Sequence, residues 1–235
     1  MSDPTEADPA PRSPPWGGEA EPWPVRHTLQ LAAPAPPPVS TFAETLAARR
    51  SVRRMTAAPL REVANLLGFA RAERRAWVHE GLRRASRPSP SAGALHPVEV
   101  LVVPMRGAPR AFRHVPDVPS LDILRVADPD ALRLHRRFAA ELAPEARGAL
   151  LLFVGDAARV GAAYRRPDSL LWRDAGALLQ TIHLCATAFR MAFCPLGPLG
   201  QEVFDAVLAP VDGRSLRAVG TALVGIPVPA RGGGG

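Results

Sequence analysis

The chain has 235 residues, a formal net charge of +7 and 47% hydrophobic residues, and all 29 of its basic residues are arginine. This length suits one sizeable domain or two small ones, and the hydrophobic fraction excludes a chain that is disordered throughout. The lack of lysine in the sequence excludes Schiff-base and P-loop lysine chemistry, and together with the many Ala, Pro and Gly residues it is typical of a GC-rich genome.

The first 40 residues differ in composition from the rest of the chain. They contain eleven prolines and carry a net charge of −3, whereas residues 41–235 carry +10. We predict a disordered, proline-rich extension over residues 1–40 and a flexible glycine tail over residues 231–235. The extension is either a tail without a specific role or an arm that docks a partner.

From residue 41 onwards the hydrophobic pattern predicts one folded α+β domain, ending near residue 230. Ser40 or Thr41 caps the first helix with Glu44 in the capping-box position, and Pro59 opens the second helix. Further helices are predicted at 129–140, 168–191 and 201–208. Strands are predicted at 98–105, 112–115, 149–154 and 216–228.

The predicted helix at 168–191 is apolar on nearly all sides through its middle, so we expect it in the core or in a subunit interface. Its longest uncharged run, 175–189, is too short to cross a bilayer. Two cysteines, Cys185 and Cys194, are too few for a disulfide framework and are expected to be reduced. The acidic, proline-rich N-terminus does not look like a signal peptide, so we expect a cytoplasmic protein without membrane contact.

A cluster of arginines lies at the end of the first predicted helix. Four guanidinium groups and one hydroxyl fall within six residues: Arg49, Arg50, Ser51, Arg53 and Arg54. Fork-shaped donors that are always charged, together with a short hydroxyl, suit a phosphate dianion. A solvated basic helix end is the alternative interpretation.

Two further clusters contain many small residues. The loop Pro-Ser-Pro-Ser-Ala-Gly-Ala-Leu-His-Pro at 88–97 leads into a buried strand, and its small residues let the backbone approach a flat ligand. The third cluster combines Asp-Ala-Gly-Ala-Leu-Leu-Gln at 174–180 with Cys-Pro-Leu-Gly-Pro-Leu-Gly at 194–200, where backbone N–H groups become free. Each cluster alone also fits an ordinary loop, helix or turn.

In this order, the three clusters resemble the nitroreductase-fold flavoproteins and, more narrowly, the SagB-type dehydrogenases associated with azoline oxidation in ribosomally made peptides. The most specific part is Pro-Ser-Ala-Gly-Ala-Leu-His-Pro before the Val-rich strand. The resemblance covers residues 40–230. It implies an α+β nitroreductase-like fold with a central mixed sheet flanked by helices, an FMN cofactor, and an obligate homodimer around the long helix with the flavin between its subunits.

The resemblance also assigns residues to the flavin. The FMN phosphate would be held by Arg49, Arg50, Ser51 and Arg53. The flavin ring would lie against Pro90, Ser91 and Gly93. Backbone N–H groups near flavin N5 and O4 would come from Leu196 and Gly197, and such donors stabilise the charge that develops as hydride arrives.

Tyr164 and His96 are the candidate catalytic residues. SagB-type dehydrogenases resemble this chain in having a tyrosine just before the long helix, but they pair it with a lysine, and here Arg165 and Arg166 follow instead. A tyrosine with an ordinary pKa of about 10 is a poor base at neutral pH unless nearby positive charge favours its ionised form. His96 follows the flavin-loop motif and is the other candidate base. The spacing of His and Cys does not suggest a metal site.

The resemblance therefore implies an FMN-dependent oxidoreductase that dehydrogenates a peptide or other natural product, with other biosynthetic enzymes as potential partners. Two alternatives stay open: an NAD(P)H-dependent nitro or quinone reductase of the same fold, and a flavin-free scaffold in a peptide-modification complex. We do not expect nucleic-acid binding, because the arginines are dispersed and are not interleaved with aromatic residues.

Overall fold

The computed structural model describes residues 8–16, 22–209 and 215–229, and the predicted glycine tail at 231–235 lies outside the described residues. The helices in these segments are α1 Phe42–Ala48, α2 Leu60–Ala70, α3 Pro129–Leu142, α4 Ala157–Ala163, α5 Asp168–Ala188 and α6 Gln201–Leu208. The strands are β1 Ala10–Pro11, β2 Val25–Gln30, β3 Met55–Thr56, β4 Arg75–His79, β5 Leu82–Ser86, β6 Val98–Pro104, β7 Phe112–Val115, β8 Ser120–Leu124, β9 Ala149–Asp156, β10 Tyr164–Arg165, β11 Ala192–Leu196 and β12 Leu216–Pro227.

Helix starts agree well with the sequence signals that predicted them. Thr41 and Glu44 form the predicted capping box of α1, in which the Thr41 side chain accepts from the Glu44 amide and the Glu44 side chain accepts from the Thr41 amide. Pro59 directly precedes α2. Side chains that bond backbone amides at a helix start act locally, so a single sequence is enough to reveal them.

The central sheet has the strand order β11-β12-β9-β6-β7-β8-β2, and β3 pairs with the end of β12. The predicted α+β class with a helix-flanked sheet is confirmed. The sheet is not mixed, however: among the described strands, its pairings are all antiparallel. Short connections join β6, β7 and β8 into a meander, and such connections require antiparallel neighbours.

The sheet separates two hydrophobic cores. Along β9, Leu151 and Phe153 belong to the core under α2 and α5, whereas Leu150 and Leu152 belong to the core under α3 and α6. Because helices cover both faces, β9 is almost continuously apolar rather than alternating, which is the pattern that predicted a buried strand.

The long helix α5 is buried on one face and exposed on the other. Leu178 and Ile182 pack in the core, whereas Trp172 is 41% exposed and Gly176 and Gln180 are also exposed. Within a single chain, the apolar helix predicted from the sequence therefore leaves one face uncovered.

The prediction of a disordered extension is wrong where the structure describes it. Residues 25–30 form β2, the edge strand that pairs with β8. The proline-rich stretch that follows lies on α2, where Asn65 Oδ1 accepts from the Ala35 amide at 2.7 Å and Asn65 Nδ2 donates to the Ala35 carbonyl at 3.3 Å. One amide side chain can satisfy both backbone groups of an extended residue, so this segment is held without helix or strand periodicity.

A β-hairpin formed by β4 and β5 was not predicted. It turns at Glu80 and Gly81, which both have positive φ angles, 50° and 76°. Positive φ at both central residues is the geometry of a type I′ turn, which is usually signalled by Asn-Gly or Asp-Gly. Glu-Gly is a weaker signal, because Glu adopts this conformation less readily.

Cys185 and Cys194 are free cysteines in the described part of the chain. Burial raises the pKa of the Cys185 thiol to about 11, as expected for an unreactive core residue. None of the described helices combines the length and apolar character needed to span a membrane.

Candidate functional site

The arginine cluster, residues 49–54, directly follows α1, and its backbone is hydrogen-bonded to β11 and α5. The Val52 amide donates to the Phe193 carbonyl at 2.9 Å. The ring of His183 lies 3.1 Å from the Arg50 carbonyl through Nε2 and contacts the Phe193 ring, with the ring centroids 4.9 Å apart. The backbone of the cluster is therefore fixed from two sides.

The side chains of this cluster are available to bind an anion. Arg50, Ser51 and Arg53 are exposed and Arg49 is half-buried. Among the described residues, Arg49, Arg50 and Arg53 form no ion pair, whereas the neighbouring Arg54 is paired with a carboxylate 3.2 Å away. Unpaired guanidinium groups on a fixed backbone favour a charged oxygen ligand.

Leu196 and Gly197 lie at the end of β11, the strand to which the arginine cluster is bonded. Leu196 is the last residue of β11, and Gly197 is exposed immediately after it. The turn is held by Thr221, whose hydroxyl donates to the Pro198 carbonyl at 2.6 Å. A Cβ placed on Gly197 would meet nothing among the described residues within 4 Å, so the backbone here faces open space.

The loop before β6 is held by a carboxylate of α5. Ser91 Oγ donates to Asp174 Oδ2 at 2.5 Å, and the Ala92 amide donates to Asp174 Oδ1 at 3.1 Å. The Ser91 oxygen also accepts from the His96 amide at 2.8 Å. Burial raises the pKa of Asp174, and the hydrogen bonds from Ser91 and Ala92 act in the opposite direction. The Ser91 hydroxyl thus donates its hydrogen bond to Asp174 and accepts one from His96, so this serine has a structural role in holding the loop.

Tyr164 lies directly against this loop. A Cβ on Gly93 would be 2.9 Å from Tyr164 Oη and 2.9 Å from Arg84 Nη1, and Gly93 has a φ of +57°. Arg84 Nη1 also donates to the Gly93 carbonyl at 2.8 Å. The tyrosine hydroxyl and this guanidinium nitrogen are consequently within about 6 Å of each other.

His96, the other candidate catalytic residue, is buried. Its Nε2 lies 2.9 Å from the Ala85 carbonyl, and its backbone has a φ of 48°. Burial and, next, the charge of Arg87 lower the pKa of His96 to about 4, so the ring is neutral at pH 7 and its Nε2–H donates to Ala85. This geometry favours a role in fixing the loop to the hairpin rather than proton transfer.

The predicted site residues therefore form two groups along α5. The first group is the loop that Asp174 holds near the start of the helix, with Tyr164 against its Gly93; it contains Pro90, Ser91, Gly93, His96 and Tyr164. The second group lies around Phe193 of β11 and His183 of α5, which hold the backbone of the arginine cluster. It contains Arg49, Arg50, Ser51, Arg53, Leu196 and Gly197. His183 lies nine positions after Asp174 on α5, which is about 13 Å along the helix axis.

Sequence reasoning missed Arg84 and the link from Ser91 to Asp174. Arg84 lies on the unpredicted hairpin, so nothing in the sequence pointed to its position beside Gly93. Asp174 is 83 positions from Ser91, and a hydrogen bond over that separation leaves no local pattern.

A large cavity of about 670 Å³ opens beside the turn after β11. Leu196, Pro198 and Gly200 line one side. Most of the remaining lining comes from α3 and α6, with Leu150 of β9 and Thr221 of β12. Pockets of this size and mostly apolar lining are typical of small-molecule and peptide side-chain sites. Within the described residues, no group of three or more His, Cys, Asp or Glu side chains could hold a metal ion.

Comparison with known proteins identifies the fold. No family model matches the chain, and no curated protein sequence is significantly similar to it. A candidate nitroreductase from Ralstonia eutropha JMP134 superimposes with a TM-score of 0.61 at 16% identity, over 92% of this chain and 98% of that one. The chain therefore has a nitroreductase-like fold.

Two other solved structures share this fold. The Escherichia coli microcin synthetase McbBCD complex, with truncated pro-MccB17 bound, contains a chain with a TM-score of 0.58 and 18% identity, covering 77% of this chain and 70% of that one. A candidate nitroreductase in complex with FMN from Desulfovibrio desulfuricans has a TM-score of 0.50 and 20% identity, covering 82% and 89%.

Proposed function

We propose that the protein is an FMN-dependent oxidoreductase that dehydrogenates a peptide or another natural product. The observation that carries this proposal is the group Arg49, Arg50 and Arg53, which forms no ion pair with the described residues and is anchored to β11, the strand that ends at Leu196 just before Gly197. The fold likeness to an FMN-bound protein supports it. When bound, FMN would supply a hydride acceptor.

The residues present fit this cofactor. Arg49, Arg50 and Arg53, with the Ser51 hydroxyl, would hold the phosphate through charge-assisted hydrogen bonds. The open backbone at Gly197 would let N–H groups reach the edge of a flat ring.

We further propose a homodimer in which the two groups of site residues meet across the interface. In one chain they lie about 13 Å apart along α5, so a single subunit presents them as separate halves. The uncovered face of α5 carries the exposed Trp172, and α1 exposes Phe42 at 72% and Leu46 at 50%. Exposed apolar side chains on adjoining helices are typical of a face that another subunit covers.

Tyr164 is proposed to take the carbon-bound proton of the substrate. Its hydroxyl lies at Gly93, within the loop assigned to the flavin ring, and Arg84 is beside it. The Arg84 guanidinium group would supply the positive charge that the resemblance gives to a lysine. Arg165 and Arg166, the cations suggested by sequence, are both exposed.

Azoline-type oxidation of a peptide is the favoured reaction, because the fold is shared with a chain of the microcin synthetase complex and the cavity beside Leu196 is large enough for a five-membered azoline ring. Other biosynthetic enzymes would then be partners. The likeness to candidate nitroreductases favours an NAD(P)H-dependent nitro or quinone reductase as the second function.

The test of cofactor binding is FMN uptake by a variant that lacks two arginines of the cluster. Arg49→Ala combined with Arg53→Ala removes two charge-assisted contacts worth about 1.5–3 kcal/mol each, so FMN should bind at least about 100-fold more weakly. Binding is measured by titrating the protein with FMN and following flavin fluorescence.

The matched control removes two exposed arginines elsewhere, Arg110→Ala with Arg125→Ala, and should bind FMN like the unchanged protein. Equal FMN affinity in the two double variants would refute the phosphate site. Rapid reduction of a nitroarene with NAD(P)H by the FMN-bound protein would favour the nitro or quinone reductase as the function. A protein that takes up no FMN at all would favour the flavin-free scaffold.

A further inference from the structure

The described N-terminal segment, residues 8–16, crosses the end of α4 directly beside the candidate catalytic tyrosine. Strand β1 pairs antiparallel with β10, so that Pro11 lies opposite Tyr164 and Ala10 lies opposite Arg165. This two-stranded pair is separate from the central sheet. Tyr164 is thus held between the segment on its backbone side and the Gly93 loop at its hydroxyl.

The same segment satisfies the free carbonyl groups at the end of α4. A helix leaves its last four carbonyls without partners in the helix itself. Here the Arg12 amide donates to the Ala163 carbonyl at 2.8 Å, and the Trp16 amide donates to the Ala162 carbonyl at 2.8 Å. Arg12 Nε donates to the Gly161 carbonyl at 2.7 Å. Three consecutive carbonyls immediately before Tyr164 are therefore capped from this segment.

Arg12 is the residue that joins these contacts. Its backbone and its side chain bond two different carbonyls of α4, and its guanidinium carbon lies 3.3 Å from the centre of the Trp16 ring. A guanidinium group stacked on an indole and bonded to a carbonyl is fixed in orientation. The stacking of Arg12 on Trp16 brings the two ends of the segment 12–16 together. Both ends are also bonded to carbonyl groups of α4.

We propose that residues 8–16 are a positioning strap for Tyr164 and that Arg12 is its anchor. Tyr164 is the C-cap residue of α4, where the chain changes from helix to extended backbone. Since the hydroxyl lies 2.9 Å from the point that a Gly93 Cβ would occupy, a small displacement of the helix end moves it away from the loop. The functional meaning of the strap rests on the proposed role of Tyr164, but its effect on Tyr164 is testable without cofactor.

The test uses the fact that Tyr164 is the only tyrosine of the chain. Nitration of the cofactor-free, full-length protein by tetranitromethane gives a 3-nitrotyrosine absorbance that reports on this residue alone. Arg12→Ala should accelerate nitration about ten-fold, because loss of a charge-assisted hydrogen bond raises the open population of the strap by about that factor. Arg12→Lys, which keeps a charged donor, should restore most of the original rate.

Arg26→Ala is the matched control, since it removes an exposed arginine from β2 in the same N-terminal region. It should leave the nitration rate unchanged. Trp16→Ala removes only the stacking partner and should give a smaller acceleration than Arg12→Ala, which keeps the proposal testable if the Arg12 variant fails to fold. Nitration rates of folded Arg12→Ala or Trp16→Ala protein equal to that of Arg26→Ala would overturn the strap. Failure of the unchanged protein to bind FMN would instead overturn the proposed function.

Discussion

Replacing Gly93 with alanine tests the contact on which the arrangement of Tyr164 depends. A Cβ at this position would be 2.9 Å from both Tyr164 Oη and Arg84 Nη1, which is closer than real Cβ atoms come to other atoms. The backbone also has a φ of +57°, where an L-residue other than glycine is strained. Gly93→Ala therefore combines a backbone cost with a displacement of two side chains.

The expected loss of stability is the sum of these two effects. The left-handed conformation costs about 1–2 kcal/mol for alanine relative to glycine. Displacing Arg84 weakens its hydrogen bond to the Gly93 carbonyl, which adds about 1 kcal/mol. Urea denaturation followed by circular dichroism should thus give a free energy of unfolding about 2–3 kcal/mol lower.

Gly107→Ala separates the two effects. Gly107 has a φ of +76°, and a Cβ added there would meet nothing among the described residues within 4 Å, so its replacement carries the backbone cost alone. Combining Gly93→Ala with Tyr164→Phe should recover part of the loss, because the hydroxyl that meets the new methyl group is gone. The reasoning fails if Gly93→Ala costs no more than Gly107→Ala and shows no coupling to Tyr164→Phe.

Two further predictions concern the loop that carries Gly93. Asp174→Ala leaves the Ser91 hydroxyl and the half-buried Ala92 amide without their acceptor and should lower the free energy of unfolding by about 2–4 kcal/mol. Asp168→Ala, at an exposed position in the first turn of the same helix, should cost less than about 1 kcal/mol. Equal losses in urea denaturation would contradict the role of Asp174 in holding the loop. His96 has a folded pKa of about 4 against 6.5 unfolded, so only the unfolded chain binds a proton between these values and stability falls as the pH drops from 6.5 to 4. His96→Gln should remove about 2 kcal/mol of that fall after allowance for solvent screening, measured by urea midpoints across this range; a pH dependence identical to that of the unchanged protein would be inconsistent with a buried, neutral His96.

The elements that the sequence predicted best are those whose determinants are local. The capping box of α1 involves residues three positions apart, and the apolar run of β9 reflects burial of all its residues except Asp156 at the end. Strand β2 was missed because its flanking prolines indicate disorder, whereas its partner β8 lies about 90 residues away in the chain. Pairing over such a separation is decided by the folded structure and not by neighbouring residues.

The candidate site was predictable in its residues but not in its arrangement. The motif carried over by resemblance included Gly93 and Tyr164, and the structure brings these two together. Arg84 was unpredictable, since it comes from a hairpin whose Glu80-Gly81 turn lacks the usual residues. The separation of the arginine cluster from the loop along α5 also required the structure, because the sequence order alone does not give distances.

The apolar character of β9 on both faces has a consequence for its alignment with β12. A strand that alternates polar and apolar residues is held in register by that alternation, because a slip by one position would bury the polar set. β9 lacks this alternation, so the pattern of its side chains does not fix its register. The alignment is instead fixed sterically by Gly148, which directly precedes β9, because a Cβ there would be 2.0 Å from the Val224 carbonyl oxygen of β12. Gly225 has the same effect on the pairing of β12 with β3, since its Cβ would be 2.3 Å from the Thr56 carbonyl oxygen. A slip of β9 by one residue would bring Arg147 or Ala149 to the position of Gly148 and place a side chain against the Val224 oxygen.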